Sequence, residues 1–341
     1  MDRTTVTNPV GLPLARGITA PVERLWPVEP NSIRRTATLS AIPGAHWAGF
    51  AVDGLARDVA FGPDGALLSW RTGRLTAQVD QVGNLESIEI TDEHGSRSLT
   101  EALRGKSMGA GFRAQLSRME PPIDDSSLVG VLLDDLSGLR HIAGYGRIVS
   151  EPQIPGMLAN SPQVGTCAGL MAGGVAAMAS SESILGDLPH AAPIGGLIGS
   201  PDDWHAENEL LAGSMQRRRL LDVRANDDGT TDLHMWFRDS LHRAADDEGA
   251  LHEYVVLARL DQAGLLCDAK AEPRTLPMGD CPLAASHVEL LEGRTVSQID
   301  EGVRAHLRSE LGCTHLNDAM RFLRSATPML HQLSESEAHH G

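Results

Sequence analysis

Apolar and polar residues alternate with the two-residue period of β-strands in two separate parts of the chain. In the first part the pattern starts at Ile33, and it predicts strands over 35–39, 54–61, 66–71, 74–80 and 86–91. The turn sequence Gly62-Pro63-Asp64-Gly65 separates the second strand from the third. After Ser98 the period lengthens, which predicts helices over 99–104, 108–118 and 126–138.

The second part of the chain repeats this order of strands followed by helices. Strands are predicted near 217–224, 231–239, 251–260 and 265–272, and helices near 281–292, 296–310 and 313–325. In the second of these helices one stripe is apolar, consisting of Val296, Ile299, Val303 and Leu307. Such spacing is typical of a helix that packs against a core.

Short sequence matches recur in the same order in the two parts. Arg57-Asp58 precedes Asp80-Gln81-Val82-Gly83, and Arg238-Asp239 precedes Asp261-Gln262-Ala263-Gly264, both at an interval of 22 residues (58 to 80 and 239 to 261). Residues 112–116 then match 303–307, and 132–135 match 315–318. Four matches in one order predict a tandem duplication, with copies at 31–145 and 215–328.

These patterns predict an α+β protein made of two fused, degenerate copies of a four-stranded antiparallel sheet backed by helices. The proline-rich residues 1–30 are expected to form an irregular arm. Residues 146–214 are rich in glycine and proline and are interpreted as a connector, with one buried helix expected from Cys167 to Ser180. The polar residues 329–341 are expected to form a flexible tail.

Charge and composition narrow the possible partners and the compartment. Lys and Arg total 29 against 45 Asp and Glu, a formal charge of −16, which argues against nucleic acid and against an acidic membrane surface as partners. No apolar run reaches the length of a membrane span, and the first thirty residues lack the apolar core of a signal peptide. Four cysteines are too few for a disulfide framework, so we expect a cytoplasmic protein.

Cysteine and histidine residues stand where three predicted elements of the second copy begin. His252 opens a strand, Cys281 opens one helix, and Cys313 with His315 opens another. Together they predict a tetrahedral site for one divalent metal ion, with zinc preferred over iron. Helix N-termini lower thiol pKa values, which favours metal binding or nucleophilic chemistry. The alternative is that Cys313 is a small buried residue and that the histidines have no ligand role.

Two acidic residues near these positions are candidate catalytic groups, Glu253 and Asp318, and Glu253 could also be an oxygen ligand. The first copy has Gly130 and Leu132 where the second has Cys313 and His315, so we expect only the second copy to carry metal ligands. Arg57-Asp58 and Arg238-Asp239 are interpreted as ion pairs at strand ends, because both copies keep them.

The second copy resembles a bacterial family catalogued as domain-of-unknown-function family 2889. The resemblance depends on His252-Glu253-Tyr254, on the run from Pro277 to Cys281-Pro282, and on Cys313-Thr314-His315-Leu316-Asn317-Asp318. Cys167-Ala168-Gly169 is similar to longer members of the family. The resemblance extends over most of the chain after residue 31, and it implies no established activity.

The same half is remotely similar to iron–sulfur scaffold proteins of the IscU type. In that family a cysteine and an acid at the first strand, a cysteine before the first helix and a His-Cys pair before the last helix bind zinc or a nascent cluster. The matching positions here are His252 with Glu253, Cys281, and Cys313 with His315. Histidine replaces the first cysteine, the last pair is Cys-x-His, and the chaperone-binding Leu-Pro-Pro-Val-Lys motif is absent, so the resemblance implies a metal site.

We therefore expect a small-molecule enzyme whose zinc or iron ion acts as a Lewis acid or generates hydroxide, in a hydrolase, lyase or isomerase. A pocket between the fused halves would hold the substrate. One alternative is a non-catalytic metal-binding or iron–sulfur scaffold, and another is an interaction module with a structural metal. Exposure of the metal site would distinguish these three functions. The sequence is compatible with an oligomer as well as with a monomer.

Overall fold

The structure, a computed structural model, describes residues 6–7, 13–14, 17–150, 164–174, 188–244 and 246–340. The strands are β1 (Val6–Thr7), β2 (Pro13–Leu14), β3 (Ser32–Pro43), β4 (Phe50–Phe61), β5 (Leu67–Val79), β6 (Leu85–Asp92), β7 (Gly95–Ser98), β8 (His190–Ala191), β9 (Met215–Ala225), β10 (Thr231–Ala244), β11 (Asp247–Leu260) and β12 (Leu266–Thr275). The α-helices are α1 (Thr100–Leu103), α2 (Phe112–Leu116), α3 (Leu128–Ser150), α4 (Ile194–Leu197), α5 (Ile299–His306), α6 (Thr314–Phe322) and α7 (Ala326–His340). Short 3-10 turns include Ala168–Leu170, Cys281–Leu291 and Val296–Gln298.

One large antiparallel sheet unites the two halves of the chain. Its strand order is β12-β11-β10-β9-β3-β4-β5-β6-β7, and β8 adds two residues against β11. The predicted mixture of helices with an antiparallel sheet is confirmed. The two predicted sheets are continuous, because β3 pairs with β9 from Ser32↔Arg224 to Ala41↔Met215. The strand order on either side of this pair is therefore mirrored.

The first half contains one strand where the sequence predicts two. The predicted strands 66–71 and 74–80 are a single strand, β5, which runs through Thr72 and Gly73 without a break. A Cβ atom at Gly73 would lie 2.7 Å from Cβ of Leu128, at the start of α3. The glycine is therefore explained by close helix packing, and it does not mark a turn.

Both faces of the central strands are buried. On one face pack α3, α6 and α7, and the core beneath them includes the predicted stripe of the 296–310 region, where Ile299, Val303 and Leu307 are at most 1% exposed. On the other face residues 17–31 and 188–210 cover an apolar cluster that includes Leu25, Trp204 and Trp236. Odd- and even-numbered strand residues thus face opposite sides of the sheet, and both sides are shielded from solvent.

The ends and the connector differ from expectation in several places. Residues 17–30 of the predicted arm lie across the sheet, with Val22 and Leu25 buried. The predicted flexible tail is helical, because Met329 and Leu333 of α7 bury their side chains against the sheet. In the predicted helix from Cys167, the described part is a 3-10 turn, and 175–180 lie outside the described residues. Within the described parts of the chain, no helix has the length and hydropathy needed to cross a membrane.

Candidate functional site

A carboxylate and two imidazoles meet on the helix-covered face of the sheet. Asp239 of β10 is the cross-strand partner of His252 of β11, and His315 projects onto them from the first turn of α6. One ligand atom from each of the three residues lies within 4.8 Å of the other two. We call these residues the Asp-His-His cluster.

Asp239 is held by Arg217 and in turn orients His315. The Arg217 guanidinium donates from Nε to Oδ1 (2.8 Å) and from Nη2 to Oδ2 (2.9 Å), a bidentate pair. His315 Nδ1 lies 2.6 Å from Oδ2. Burial alone would raise the pKa of Asp239, but Arg217 and the hydrogen bond from His315 hold that pKa far below its ordinary value. The carboxylate is therefore ionised and can only accept, so His315 donates from Nδ1 and its Nε2 atom points away from Asp239.

His252 is stacked on His315 and remains neutral. The ring centroids are 3.6 Å apart and the planes differ by 13°. Burial, and secondarily the nearby His315, lowers the pKa of His252 well below its ordinary value. Its Nδ1 atom is buried and has no hydrogen-bond partner among the described residues. A buried unpaired nitrogen is energetically costly, so this atom is the natural attachment point for a ligand.

The position of Arg217 depends on residues from both halves of the chain. Its Nη1 atom donates to Oδ2 of Asp318 (2.9 Å) and contacts Asp135 of α3 (3.4 Å). The guanidinium lies against Gly138 of α3, where a Cβ atom would overlap Nη1. The Phe237 ring covers it from the sheet, with its centroid 5.0 Å from Cζ. The first half therefore shapes the site without supplying a ligand to the cluster.

Asp318, predicted as catalytic, is a buried acceptor of several arginines. Besides Arg217, its carboxylate accepts from Arg113 (2.7 Å) and Arg321 (3.2 Å). Burial would raise its pKa, but these cations outweigh burial and hold it far below the ordinary range. In this arrangement Asp318 stays ionised and positions Arg217, and its role as an acid or base remains a prediction without geometric support.

Glu253, the other predicted catalytic residue, faces the opposite side of the sheet. Successive strand residues alternate between faces, so Glu253 points away from its neighbour His252. Its carboxylate is fully buried and accepts hydrogen bonds from Trp236 Nε1 (2.7 Å), Arg238 Nε (2.9 Å) and the backbone N–H of Val22 (2.8 Å). Glu253 therefore ties the N-terminal segment to the sheet.

The predicted ligands Cys281 and Cys313 lie outside the Asp-His-His cluster, although Cys313 is only two residues from His315. Both thiols are buried beside Tyr254 and interact electrostatically with that residue. Burial raises the pKa of Cys313 to about 11 and outweighs the backbone N–H groups of Leu316 and His315, and it raises the pKa of Cys281 as well. The expected net lowering of the thiol pKa values does not occur, because desolvation outweighs the contribution of the backbone N–H groups.

Two residues of the site, Asp239 and Arg217, were not recognised as site residues from the sequence. Asp239 was interpreted as half of a strand-end ion pair with Arg238, whereas its partner is Arg217 of the adjacent strand. Arg217 was predicted only to lie in the strand near 217–224. The signal that could have found the pair is alternation: Arg217 and Asp239 fall on the same face once β9 and β10 are paired through the turn at 226–230.

Chemically, the cluster can serve in two ways. One carboxylate and two imidazoles form a donor set that suits zinc or iron(II). The histidine planes are parallel, however, and an ion about 2.1 Å from each nitrogen must lie near both ring planes. His315, with 13% of its side chain exposed, would have to rotate for both lone pairs to converge. Without a metal, Asp239 and His315 form an oriented carboxylate–imidazole pair suited to proton transfer.

Comparison with known families supports only one of the two resemblances inferred from the sequence. Residues 215–328 match the profile of a family described as "Protein of unknown function (DUF2889)". The family resemblance is thus confirmed for the segment that carries the whole Asp-His-His cluster. No curated protein and no solved structure matches the chain significantly, so the similarity to IscU-type scaffolds has no support from these comparisons.

Proposed function

We propose that the protein is a metal-dependent enzyme acting on a small molecule, and that Asp239, His252 and His315 bind the ion. The observation that carries this proposal is the convergence of one carboxylate and two imidazoles within 4.8 Å. Zinc or iron with this set keeps a position open for water or substrate, as hydrolysis, elimination and isomerisation require. We expect zinc in preference to iron, as predicted from the sequence, although Cys281 and Cys313 are not among the ligands now proposed.

Protonation of the cluster supports this proposal. A metal ligand has to be deprotonated, and here Asp239 is ionised while His252 is neutral with an unpaired Nδ1. Arg217 holds Asp239 in place as an outer partner of a ligating carboxylate does. His315 is the most exposed of the three, so substrate would approach from its side. The deep burial of Asp239 and His252 disfavours cluster transfer by a scaffold, the first alternative.

The test is metal loading of purified, chelator-treated protein. Zinc and iron(II) titrations by calorimetry should give one site per chain in wild type, and His315→Gln should weaken it at least tenfold. His287→Gln is the matched control, because His287 hydrogen-bonds to the Leu311 carbonyl oxygen outside the cluster (2.7 Å). Wild type without a stoichiometric site, or equal affinity in the two variants, would refute the ligand assignment.

A second candidate is metal-free acid–base catalysis by His315. Two observations favour this candidate. The Arg217 guanidinium already pairs with both oxygens of Asp239 and places a positive charge where a metal ion would bind. The rings of His252 and His315 are parallel, so their nitrogens do not converge on one ion. His315 would take up or deliver a proton at Nε2 while Asp239 fixes the tautomer. Nitrogen NMR of the histidines distinguishes the candidates. A His315 signal that keeps its Nδ1–H tautomer and does not respond to saturating zinc supports acid–base catalysis, and a shift on zinc binding supports the metal.

We also infer that residues 31–145 and 215–328 arose from one duplicated unit, with 146–214 as the connector. The bidentate pair Arg35–Asp58 in the first half corresponds to Arg217–Asp239 in the second, and each joins the first two long strands of its half. The mirrored strand order supports the same inference. A relationship to IscU-type folds then depends only on the order of residues around Cys281 and Cys313.

A further inference from the structure

The first half of the chain has a cavity at the place that the Asp-His-His cluster occupies in the second half. Its volume is about 470 Å³, a size typical of small-molecule sites. The bidentate Arg35–Asp58 ion pair lines it, as the bidentate Arg217–Asp239 pair adjoins the two histidines in the second half. We call this space the first-half cavity.

An arginine stands beside the aspartate of the first-half cavity, where the second half has a histidine. Arg71 of β5 is the cross-strand partner of Asp58, as His252 is of Asp239. Cross-strand partners project from the same face of a sheet, so Arg71 lies on the helix-covered face with 46% of its side chain exposed. It makes a long ion pair, 3.8 Å, with exposed Glu335. A guanidinium has no lone pair for a metal but donates to carboxylates, so this cavity suits an anionic group.

A buried amide in the wall of the first-half cavity lacks a partner. Gln332 of α7 lines the cavity and is 4% exposed, and its Nε2 atom has no hydrogen-bond partner among the described residues. A buried donor without an acceptor is costly, and a carboxylate oxygen in the cavity would satisfy it. Leu128 and Val129, the first turn of the long helix α3, also line the cavity. The partial positive charge of a helix N-terminus favours the same carboxylate.

Acidic side chains in the same lining show that the occupant is not simply an anion. Outside the Arg35–Asp58 pair, the arginine and acidic residues of the lining are Arg71, Arg97, Asp92, Glu93 and Asp124. Asp92 and Asp124 each accept a backbone N–H of their own loop, and Glu93 is exposed in the turn between β6 and β7. Three carboxylates beside two guanidiniums would repel a ligand of negative charge alone, so the ligand has to carry a cationic group as well.

We propose that the first-half cavity binds a small zwitterion, an α-amino acid with a free carboxylate and a free ammonium group. The carboxylate binds to Arg71 and the Gln332 amide beside the start of α3, and the ammonium group binds to the acids of the turn at 92–95. Ile123 and Pro328 of the lining give the side chain of the ligand an apolar contact. The site uses no residue of the Asp-His-His cluster, so it is independent of the proposed function.

Thermal-shift screening of the full-length protein against the common L-amino acids tests the proposal. The amino acid that stabilises the protein most is then compared by calorimetry with two analogues, one without the amino group and one without the carboxylate. The amino acid should bind at one site per chain and at least tenfold more tightly than either analogue, because each analogue leaves one set of charges in the cavity unpaired. The proposal is overturned if no amino acid binds, or if the analogue without the amino group binds as tightly.

Three variants locate the binding site. Arg71→Gln should weaken amino-acid binding at least tenfold, and its exposure means that the variant is expected to fold, which circular dichroism checks. Arg118→Gln is the matched control, because Arg118 is exposed and lies outside the lining, and it removes the same charge. Gln332→Met should also weaken binding, without loss of stability, since it removes an unpaired amide.

The outcome is separable from that of the metal titrations. His315→Gln should bind the amino acid as wild type does, whatever its affinity for zinc. Equal amino-acid affinity in Arg71→Gln and Arg118→Gln would show that the ligand lies elsewhere, and the proposal would then be wrong.

Discussion

Replacing Gly138 with alanine should destabilise the protein, although alanine is the better helix former. Gly138 lies in the middle of α3, and the Gly→Ala change in a helix ordinarily contributes about 0.5–1 kcal/mol of stability. Here the added Cβ would overlap Nη1 of Arg217. The guanidinium cannot stay where it pairs with both Asp239 and Asp318, so two favourable interactions are lost or distorted.

The buried ion pairs decide the sign of the effect. Breaking a buried ion pair costs about 3–5 kcal/mol, because a charge remains without compensation. Subtracting the helix gain leaves a net loss of about 2–4 kcal/mol in the free energy of unfolding. Disturbance of Asp239 should also weaken zinc binding at the Asp-His-His cluster, since the ligating carboxylate loses its fixed orientation.

Gly144→Ala in the same helix is the matched control. Position 144 is exposed, and a Cβ there would meet nothing within 4 Å, so this variant should gain about 0.5–1 kcal/mol. Urea unfolding followed by circular dichroism measures both variants under one set of conditions. If Gly138→Ala is as stable as Gly144→Ala, then the Arg217 guanidinium does not pack against position 138 as described, and the account of the site is wrong.

Four further outcomes are expected. Burial lowers the pKa of His205 to about 3, so stability should fall by about 3 kcal/mol between pH 6.5 and 4, where only the unfolded state takes up this proton; His205→Gln should flatten the slope in urea titrations at each pH. Glu253→Gln should cost about 2–4 kcal/mol of stability by leaving Arg238 poorly paired, with zinc affinity in calorimetry unchanged; a tenfold loss of affinity would instead place Glu253 at the metal. Gly73→Ala should lower the urea midpoint, corresponding to about 1–3 kcal/mol, because its Cβ would lie 2.7 Å from Leu128, and an unchanged midpoint would contradict that packing. Tyr254→Phe should change stability by less than about 1 kcal/mol, since among the described residues the lost hydroxyl contacts only the Cys313 thiol, a weak acceptor, whereas a loss of more than about 2 kcal/mol would indicate a further partner.

Local periodicity located most of the strands and several helices, but it missed α7. The strands predicted near 217–224 and 231–239 are β9 and β10, although both faces of these strands are largely buried. The stripe around Ile299 and Val303 was found from its helical period. Gly73 was misleading, because a glycine that makes room for a helix looks in sequence like one that ends a strand.

The composition of the site could not be derived in the same way, because it depends on contacts between distant segments. His252 and His315 were recognised by residue type, but their partner Asp239 could be assigned only once the register between β10 and β11 was known. Cys281 and Cys313 were grouped with the histidines because each stands where a predicted element of the second copy begins. In space both lie beside the segment 164–174, which is more than a hundred residues upstream, and periodicity carries no information about such a contact.

The pairing of β3 with β9 bears on how a shorter relative would assemble. If Arg35 corresponds to Arg217, the local twofold axis passes through the pair Ala37↔Arg219 at the centre of the ladder. A chain with only one such unit would leave this strand edge unpaired, and two chains could satisfy it by forming a symmetric homodimer. If the unit resembled residues 215–328, that dimer would place two arginines opposite each other at the axis, with like charges repelling. In the fused chain alanine stands at one of the two positions, so the covalent link permits an asymmetry that identical subunits cannot have.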